Sequence, residues 1–219
     1  MAFSLLCLVG VFLYLNEPLP KGERKAEADA KAREMLTALN VAAWDDVQHI
    51  EWTFMRRHHY QWDRQNHQVV VEWGEHRVRV DLARQVGDVL APKLTTEVDK
   101  DKLIRTAIDY FNNDSFWLAA PYKVFDQGTE RSLVTLEDGR TGLKVTYTQG
   151  GSTPGDSYVW LLDEQNRPTS LKMWVSIIPL GGLEVSWENY LVVDTAAMIA
   201  VDHRVNRWLN IELSHVRAR

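Results

Sequence analysis

QVVVEWGEHRVRVDL, residues 68–82, alternates in two halves about a short break. In the first half Val69, Val71 and Trp73 share one side of an extended chain. In the second, Val78, Val80 and Leu82 oppose Arg77, Arg79 and Asp81. A strict period of two marks half-buried antiparallel strands with one wet face. Gly74-Glu75-His76 is short enough to turn the two halves into a hairpin.

The same period extends outward from this hairpin. Upstream, IEWTFMR sets Ile50, Trp52 and Phe54 against Glu51, Thr53 and Met55. Downstream, SLVTLE (132–137) and GLKVTYT (142–148) flank the hairpin signal DGR. SYVWLLD (157–163) and SLKMWVSIIP (170–179) flank EQNRP. LEVSWENYLVV (183–193), MIAVDHRV (198–205) and RWLNIELSHV (207–216) finish the chain. Two stretches depart from this pattern. Residues 21–40 are rich in Ala, Glu, Lys and Arg, with Ala28, Ala32, Met35, Leu36 and Leu39 at helical spacing and Asn40 as terminator. Residues 96–114 place Leu103, Ile104, Ala107, Ile108 and Phe111 on one face, with Thr96 or Asp99 as cap and Asn112-Asn113 as end.

Ten or eleven strands, two principal helices and no strand–helix alternation exclude a doubly wound parallel sheet. They predict an α+β protein: a strongly curved antiparallel sheet with helices on one side. The expected organisation is an apolar signal or anchor segment (1–16), a helix leading in (21–40), and one sheet domain with a central helix (41–219). In NNDSFWLAAPYKVFDQG (112–128), Asn112 to Asp114 are expected to end the central helix. Phe116-Trp117-Leu118 then begin a strand, and Pro121 holds Ala120 extended at a sheet edge or break.

Composition narrows the function classes. A chain of 219 residues with 45% hydrophobic and 25% charged residues is neither disordered nor a multi-span membrane protein. A net charge of −5 with no basic face argues against nucleic-acid binding. Nine tryptophans imply large packed surfaces with polar edges, or an aromatic-lined cavity. Cys7, the one cysteine, leaves no intrachain disulfide and no Cys-based zinc site. AFSLLCLVGVFLYL (2–15) is uncharged, and its fourteen residues span about 21 Å as a helix against ~30 Å of hydrocarbon. Its length suits an export-signal core, with no basic residue ahead of it, and Lys21, Arg24 and Lys25 follow it. Export, or a membrane tether, is the expectation.

Motifs for chemistry are sparse. RRHHYQWDRQNH (56–67) clusters His58, His59, Asp63 and His67, but adjacent histidines on a strand face opposite sides. No metal-ligand spacing or nucleophile motif appears, so no metal and no cofactor are expected. GGSTPGDS (150–157) lacks the ending of a phosphate loop. Its Thr153, Pro154, Gly155 and Asp156 read as a turn at the rim of a pocket, tied by the Asp156 side chain. Asp114, Asp126, Asp156, Asp163 and Glu188 are scattered carboxylates.

The order of elements, with NDSFWLAAPYKVFDQG, GGSTPGDSYVW and LKMWVSIIPLGGLEVSW, resembles the bacterial lipoprotein-carrier (LolA/LolB-like) superfamily over residues 47–216. That resemblance implies an incompletely closed antiparallel barrel with an apolar concave face covered by helices. It also implies non-catalytic binding of a lipid, acyl chain or other apolar ligand in the bacterial envelope, on the periplasmic side. Two strands fit this, since YVWLL (158–162) and MWVSII (173–178) are apolar on both faces and need cover on both. The cavity candidates are Phe116, Trp117, Tyr122, Trp160, Trp174 and Trp187, with Asp126, Thr153, Pro154, Gly155 and Asp156 at the rim. The alternatives are a hydrolase using carboxylates and histidines at the cavity mouth, and a purely structural or interaction domain.

Overall fold

The computed structural model describes residues 16–22, 26–92, 97–149, 154–205 and 207–219. Among them the chain is α+β with mostly antiparallel sheets, and neither sheet closes into a barrel. The elements run α1 (Ala26–Ala38), α2 (Val41–Asp45), β1 (His49–Phe54), β2 (His58–Asp63), β3 (Gln68–Trp73), β4 (His76–Asp81), β5 (Val86–Ala91) and α3 (Glu97–Ala119). A 3₁₀ turn (Ala120–Lys123) leads into β6 (Thr129–Thr135), β7 (Thr141–Tyr147), β8 (Ser157–Leu162), β9 (Pro168–Trp174) and β10 (Leu183–Ser186). Last come β11 (Glu188–Val192), β12 (Met198–Arg204) and β13 (Asn210–Ala218). No helix among the described residues is long and apolar enough to cross a membrane.

Among the described residues, thirteen strands replace the expected ten or eleven. Val86–Ala91 carries no alternation legible in sequence, because a glycine and an aspartate break its apolar pattern. LEVSWENYLVV, one strand by periodicity, is two: β10 and β11 join different sheets, and Trp187 between them donates its backbone N–H to Thr169 O at 2.8 Å.

The chain divides into two compact units, each built on its own sheet. One takes the described residues up to Ala38 with Lys123–Trp187 and Arg204–Trp208. Its sheet has the order β10-β9-β8-β7-β6. Trp160 and Leu171 are register partners on one face, Val159 and Lys172 on the other, and all four are buried. The demand for cover on both faces is therefore real. Helix α1 packs against β6 and β7, burying the predicted stripe Ala28, Ala32, Met35 and Leu36, with Asp29 accepting from Arg131 Nε at 2.5 Å.

The Val159 face receives the extended segment 16–22. Lys172 Nζ bonds both Glu17 carboxylate oxygens at 2.5 Å, Trp174 Nε1 donates to Glu17 O at 2.8 Å, and Lys144 Nζ donates to Pro20 O at 2.7 Å. Gly181 and Gly182 make room for this strap. A Cβ on Gly181 would lie 2.6 Å from Glu17 O, and one on Gly182 would lie 2.7 Å from Glu17 Cβ. Gly182 also has φ +81°, a left-handed conformation that disfavours side chains.

The other unit takes Leu39–Tyr122, Glu188–His203 and Leu209–Arg219. Its eight-stranded sheet has the order β11-β12-β13-β1-β2-β3-β4-β5. The alternation reads correctly: Ile50, Trp52, Phe54, Tyr60, Val69, Val71, Val78 and Val80 are buried on one face. Helix α3 covers that face, setting Phe111 against Trp52, Tyr60 and Trp62 at ring separations of 6.2, 6.2 and 5.2 Å. Asn40 adopts φ 58°, as a helix terminator should, just after α1.

The segment 112–128 departs from expectation. Helix α3 runs straight through Asn112-Asn113-Asp114-Ser115 to Ala119, so Phe116-Trp117-Leu118 are helical, not the start of a strand. Poor helix formers cost a few tenths of a kcal/mol each, about 0.7 at most. Burial of Phe111, Ser115 and Leu118, one stripe at spacings of four and three, outweighs that. Pro121 does stop the helix, but inside the 3₁₀ turn Ala120–Lys123, where its fixed φ is compatible, and not at a sheet edge.

Gly181→Ala and Gly182→Ala should each lower the unfolding free energy by about 1–3 kcal/mol, as strap and β9 are forced apart. Urea denaturation against the unsubstituted chain reads this directly. A second expectation concerns Arg140, which grips Glu184 bidentately at 2.8 and 2.7 Å. Those bonds, with a lesser one from Ser170, hold the Glu184 carboxyl below its ordinary range. A depressed folded pKa adds stability above the unfolded value, about 4.3, and that stability is lost as pH falls through the folded value. Arg140→Gln should therefore cost no more than about 1 kcal/mol at pH 7, both groups being part-exposed. In urea titrations across pH the difference should fade below about pH 4.

Candidate functional site

Two constellations stand out in the eight-stranded unit. The first is an open groove of about 890 Å³ at one end of the sheet. Here β1 begins, β2 ends, β3 begins, and β11 and β13 end, so the lining comes from five strands. Val70, Leu191, Val192 and Val216 supply apolar surface, Glu51, Asp63, Asp194, Arg217 and Arg219 supply charge, and His49 adds an imidazole. Leu191 and Val192 are exposed apolar residues on the edge strand β11. Glu51 is the register partner of Arg217 and lies 3.4 Å from His59 Nε2. Hydrogen bonds from the Asn66 side chain and backbone hold the Asp63 carboxyl below its ordinary value.

The mouth of this groove is firmly tied. Gln48 N and His49 N both donate to Arg219 O, at 2.8 and 2.9 Å, and Arg219 N donates back to His49 O at 3.0 Å. Arg64 Nη1 donates to Trp44 O and Val47 O at 2.5 and 2.9 Å, satisfying carbonyls at the end of α2. Its guanidinium lies 4.5 Å from the Trp44 ring, and Trp44 stacks on Tyr122 at 4.2 Å.

The second constellation is buried under α3. Asp114 is 1% exposed. Its Oδ2 accepts from the Tyr60 hydroxyl at 2.5 Å and from His58 Nδ1 at 2.7 Å, and its Oδ1 accepts from Asn113 Nδ2 at 2.8 Å. Burial first, then the Asp114 carboxylate, holds the Tyr60 hydroxyl protonated far above its ordinary range, which makes it the donor. His58 lies flat on Tyr110 of α3 at 4.0 Å. His58 and His59 do face opposite sides: His59 pairs with Thr53 Oγ1 at 3.1 Å on the wet face. Among the described residues no group of three or more His, Cys, Asp or Glu is arranged to hold a metal ion.

The residues singled out from sequence fall on both units. Phe116 and Trp117 are half-buried on α3. Tyr122 follows α3 and donates its hydroxyl to the carbonyls of Leu39 and Met198, at 2.9 and 2.7 Å. Trp160 and Trp187 are buried edge-to-face, ring centres 5.0 Å apart, in the five-stranded unit, where Trp174 serves the strap. Asp126 is exposed. Pro154 and Gly155 form a turn with Gly155 at φ 102°. The Asp156 carboxylate accepts from Ser176 N at 2.9 Å, so it fixes the chain after β9. Thr153 lies outside the described residues, as does the segment 2–15.

None of the six cavity candidates is among the residues lining the groove. The signal for the groove was Val70, an apolar residue on the otherwise polar face between Gln68 and Glu72. The signal for the buried cluster was absent, because Asp114 lies 54 residues from Tyr60 in the chain. No protein-family model matches the chain, and no curated protein matches it.

Asp114→Ala should strip the acceptor from both His58 and Tyr60 and cost about 2–4 kcal/mol of stability by urea denaturation. Tyr60→Phe, which removes only a donor, should cost about 1 kcal/mol. The double variant should cost less than the sum, because the two side chains share one bond.

Proposed function

We propose that the protein binds, without catalysing a reaction, a lipid or another ligand carrying an acyl-like chain, in a half-barrel resembling the lipoprotein carriers. The groove at the strand ends of the eight-stranded sheet carries this reading. Its volume falls within the range of small-molecule sites, ~300–1,000 Å³, and it sits where antiparallel barrels and half-barrels open. Val70, Leu191, Val192 and Val216 offer the chain an apolar wall. Arg217 and Arg219 offer an anionic head two guanidinium groups, set among the carboxylates of Glu51, Asp63 and Asp194. Each methylene removed from water contributes about 0.8 kcal/mol, so a short stretch of chain suffices for useful affinity. The bacterial envelope, periplasmic side, is the compartment this reading assigns, with residues 2–15 as export signal or tether.

A hydrolase has less support. Of the groups it would draw on, Asp126 is exposed, Asp156 holds Ser176 N, and His59 is engaged by Thr53 and Glu51.

The test is extraction of the purified protein with organic solvent and mass spectrometry of the extract, followed by titration with a fluorescent fatty acid. Lipid should be recovered, and Val70→Glu and Leu191→Glu should each weaken binding at least tenfold, about 1.4 kcal/mol. Val70 lies on the face opposite the buried Val69 and Val71, and Leu191 is exposed on the edge strand β11, so folding should be retained. An empty extract together with no saturable binding would overturn the reading.

A further inference from the structure

The strap and the loop after β9 meet at one point. Gly181 N donates to Asn16 Oδ1 at 2.8 Å, and Glu17 N donates to Gly181 O at 3.0 Å. Asn16 is the first residue after the uncharged run 2–15. Asn16, the first described residue of the chain, is thus bonded directly to the loop at Gly181. The loop leading to Gly181 is Val175-Ser176-Ile177-Ile178-Pro179-Leu180, and no charged residue occurs between Lys172 and Glu184. Ile177 is 71% exposed. Pro179 is also exposed, and Ile178 and Leu180 are half-exposed. A side chain of this size left in water forfeits roughly 1.5–3 kcal/mol that burial would give.

The loop is built to hold that presentation. Ile178 N bonds Val175 O at 3.1 Å, and the Asp156 carboxylate fixes Ser176 N, so the exposed tip rises from a tied base. Four Cα-to-Cα steps separate Ile177 from Gly181, at most about 14 Å of chain.

We propose that residues 175–180 form a membrane-contacting loop, seated in the interfacial layer of the bilayer that takes up residues 2–15. The occupant is a lipid surface. An apolar loop tip beside the exit of an apolar segment buries its isoleucine and proline among headgroups and upper acyl chains. The consequence is a fixed standoff: the edge of the five-stranded sheet at β9 and β10 is held at the membrane by two contacts instead of hanging on a tether. This inference rests on the membrane reading of residues 2–15 and is independent of what the groove binds, so the two fail separately.

The test uses the full chain carrying Cys7→Ser, reconstituted in vesicles of phosphatidylethanolamine and phosphatidylglycerol. A single cysteine at Ile177→Cys is labelled with an environment-sensitive fluorophore. The same label at Glu164→Cys, in the exposed β8–β9 turn at the opposite end of β9, is the control. The label at 177 should emit at shorter wavelength than the control and lose at least half its intensity with lipids carrying a nitroxide near the glycerol backbone. Equal emission and equal quenching at the two positions would overturn the proposal, and so would recovery of the full chain in the aqueous fraction. Because Ile177 is exposed, its replacement leaves the folded state intact, which a matching urea midpoint verifies.

Discussion

A carboxylate removed from water has to be given its hydrogen bonds back, and Asp114 is the place where this chain meets that demand. Its two oxygens take three donors, from Tyr60, His58 and Asn113. Two of these lie on β2 and one on α3 itself, so the bonds are made only when the helix lies on the sheet in one register. The aromatic contacts around Phe111 supply apolar area but little direction, since dispersion tolerates sliding. The carboxylate supplies direction. Helix, buried face and wet face are thereby assigned together, and the groove is left on strand ends that α3 does not need.

The five-stranded sheet solves a different problem. Its central strands β8 and β9 are apolar on both sides, and among the described residues of that unit α1 is the one α-helix. The second face is closed by seven residues of extended chain, too thin to bury apolar area as a helix would. Polar anchoring compensates: Lys172 is nearly buried and pairs with Glu17, while Trp174 and Lys144 take the strap carbonyls. A buried ammonium without its partner would cost several kcal/mol. The strap is thus a required part of the sheet, and its two flanking glycines are required with it.

What the residues disclosed follows from how local each signal is. Alternation in 50–56 and 68–82 and the helical stripes of 26–39 and 103–111 depend only on near neighbours, and the faces they define are the faces observed. The helix extension past Asn112 depends on Tyr60 and His58, far away in the chain, and local propensity pointed the other way. The split of 183–193 into two sheets was hidden for a similar reason: apolar parity continues through Trp187 while the pairing partner changes from β9 to β12. Tryptophans drew attention because they are large, yet Trp160 and Trp187 spend their area on each other. The groove is marked by smaller residues, Val70 and Val192, whose significance lies in being apolar where the face is otherwise polar.

The rigidity of the groove's mouth bears on what such a site can do. Binding costs free energy for every side chain or loop that must be ordered, about 0.5–1.5 kcal/mol for each mobile side chain. Here the backbone at the mouth is already paired, through His49 and Arg219, and the β2–β3 turn is held by Arg64 between two carbonyls and the Trp44 ring. A ligand entering would meet a preformed wall and would spend little on ordering it. Leu191 and Val192 lie instead on an edge strand bonded on one side only, so they are the wall able to yield as a chain of variable length enters. A fixed charged rim facing a compliant apolar edge discriminates the head of an amphiphile more sharply than its tail. That is the selectivity expected of a receptor for a class of lipids rather than for one molecule.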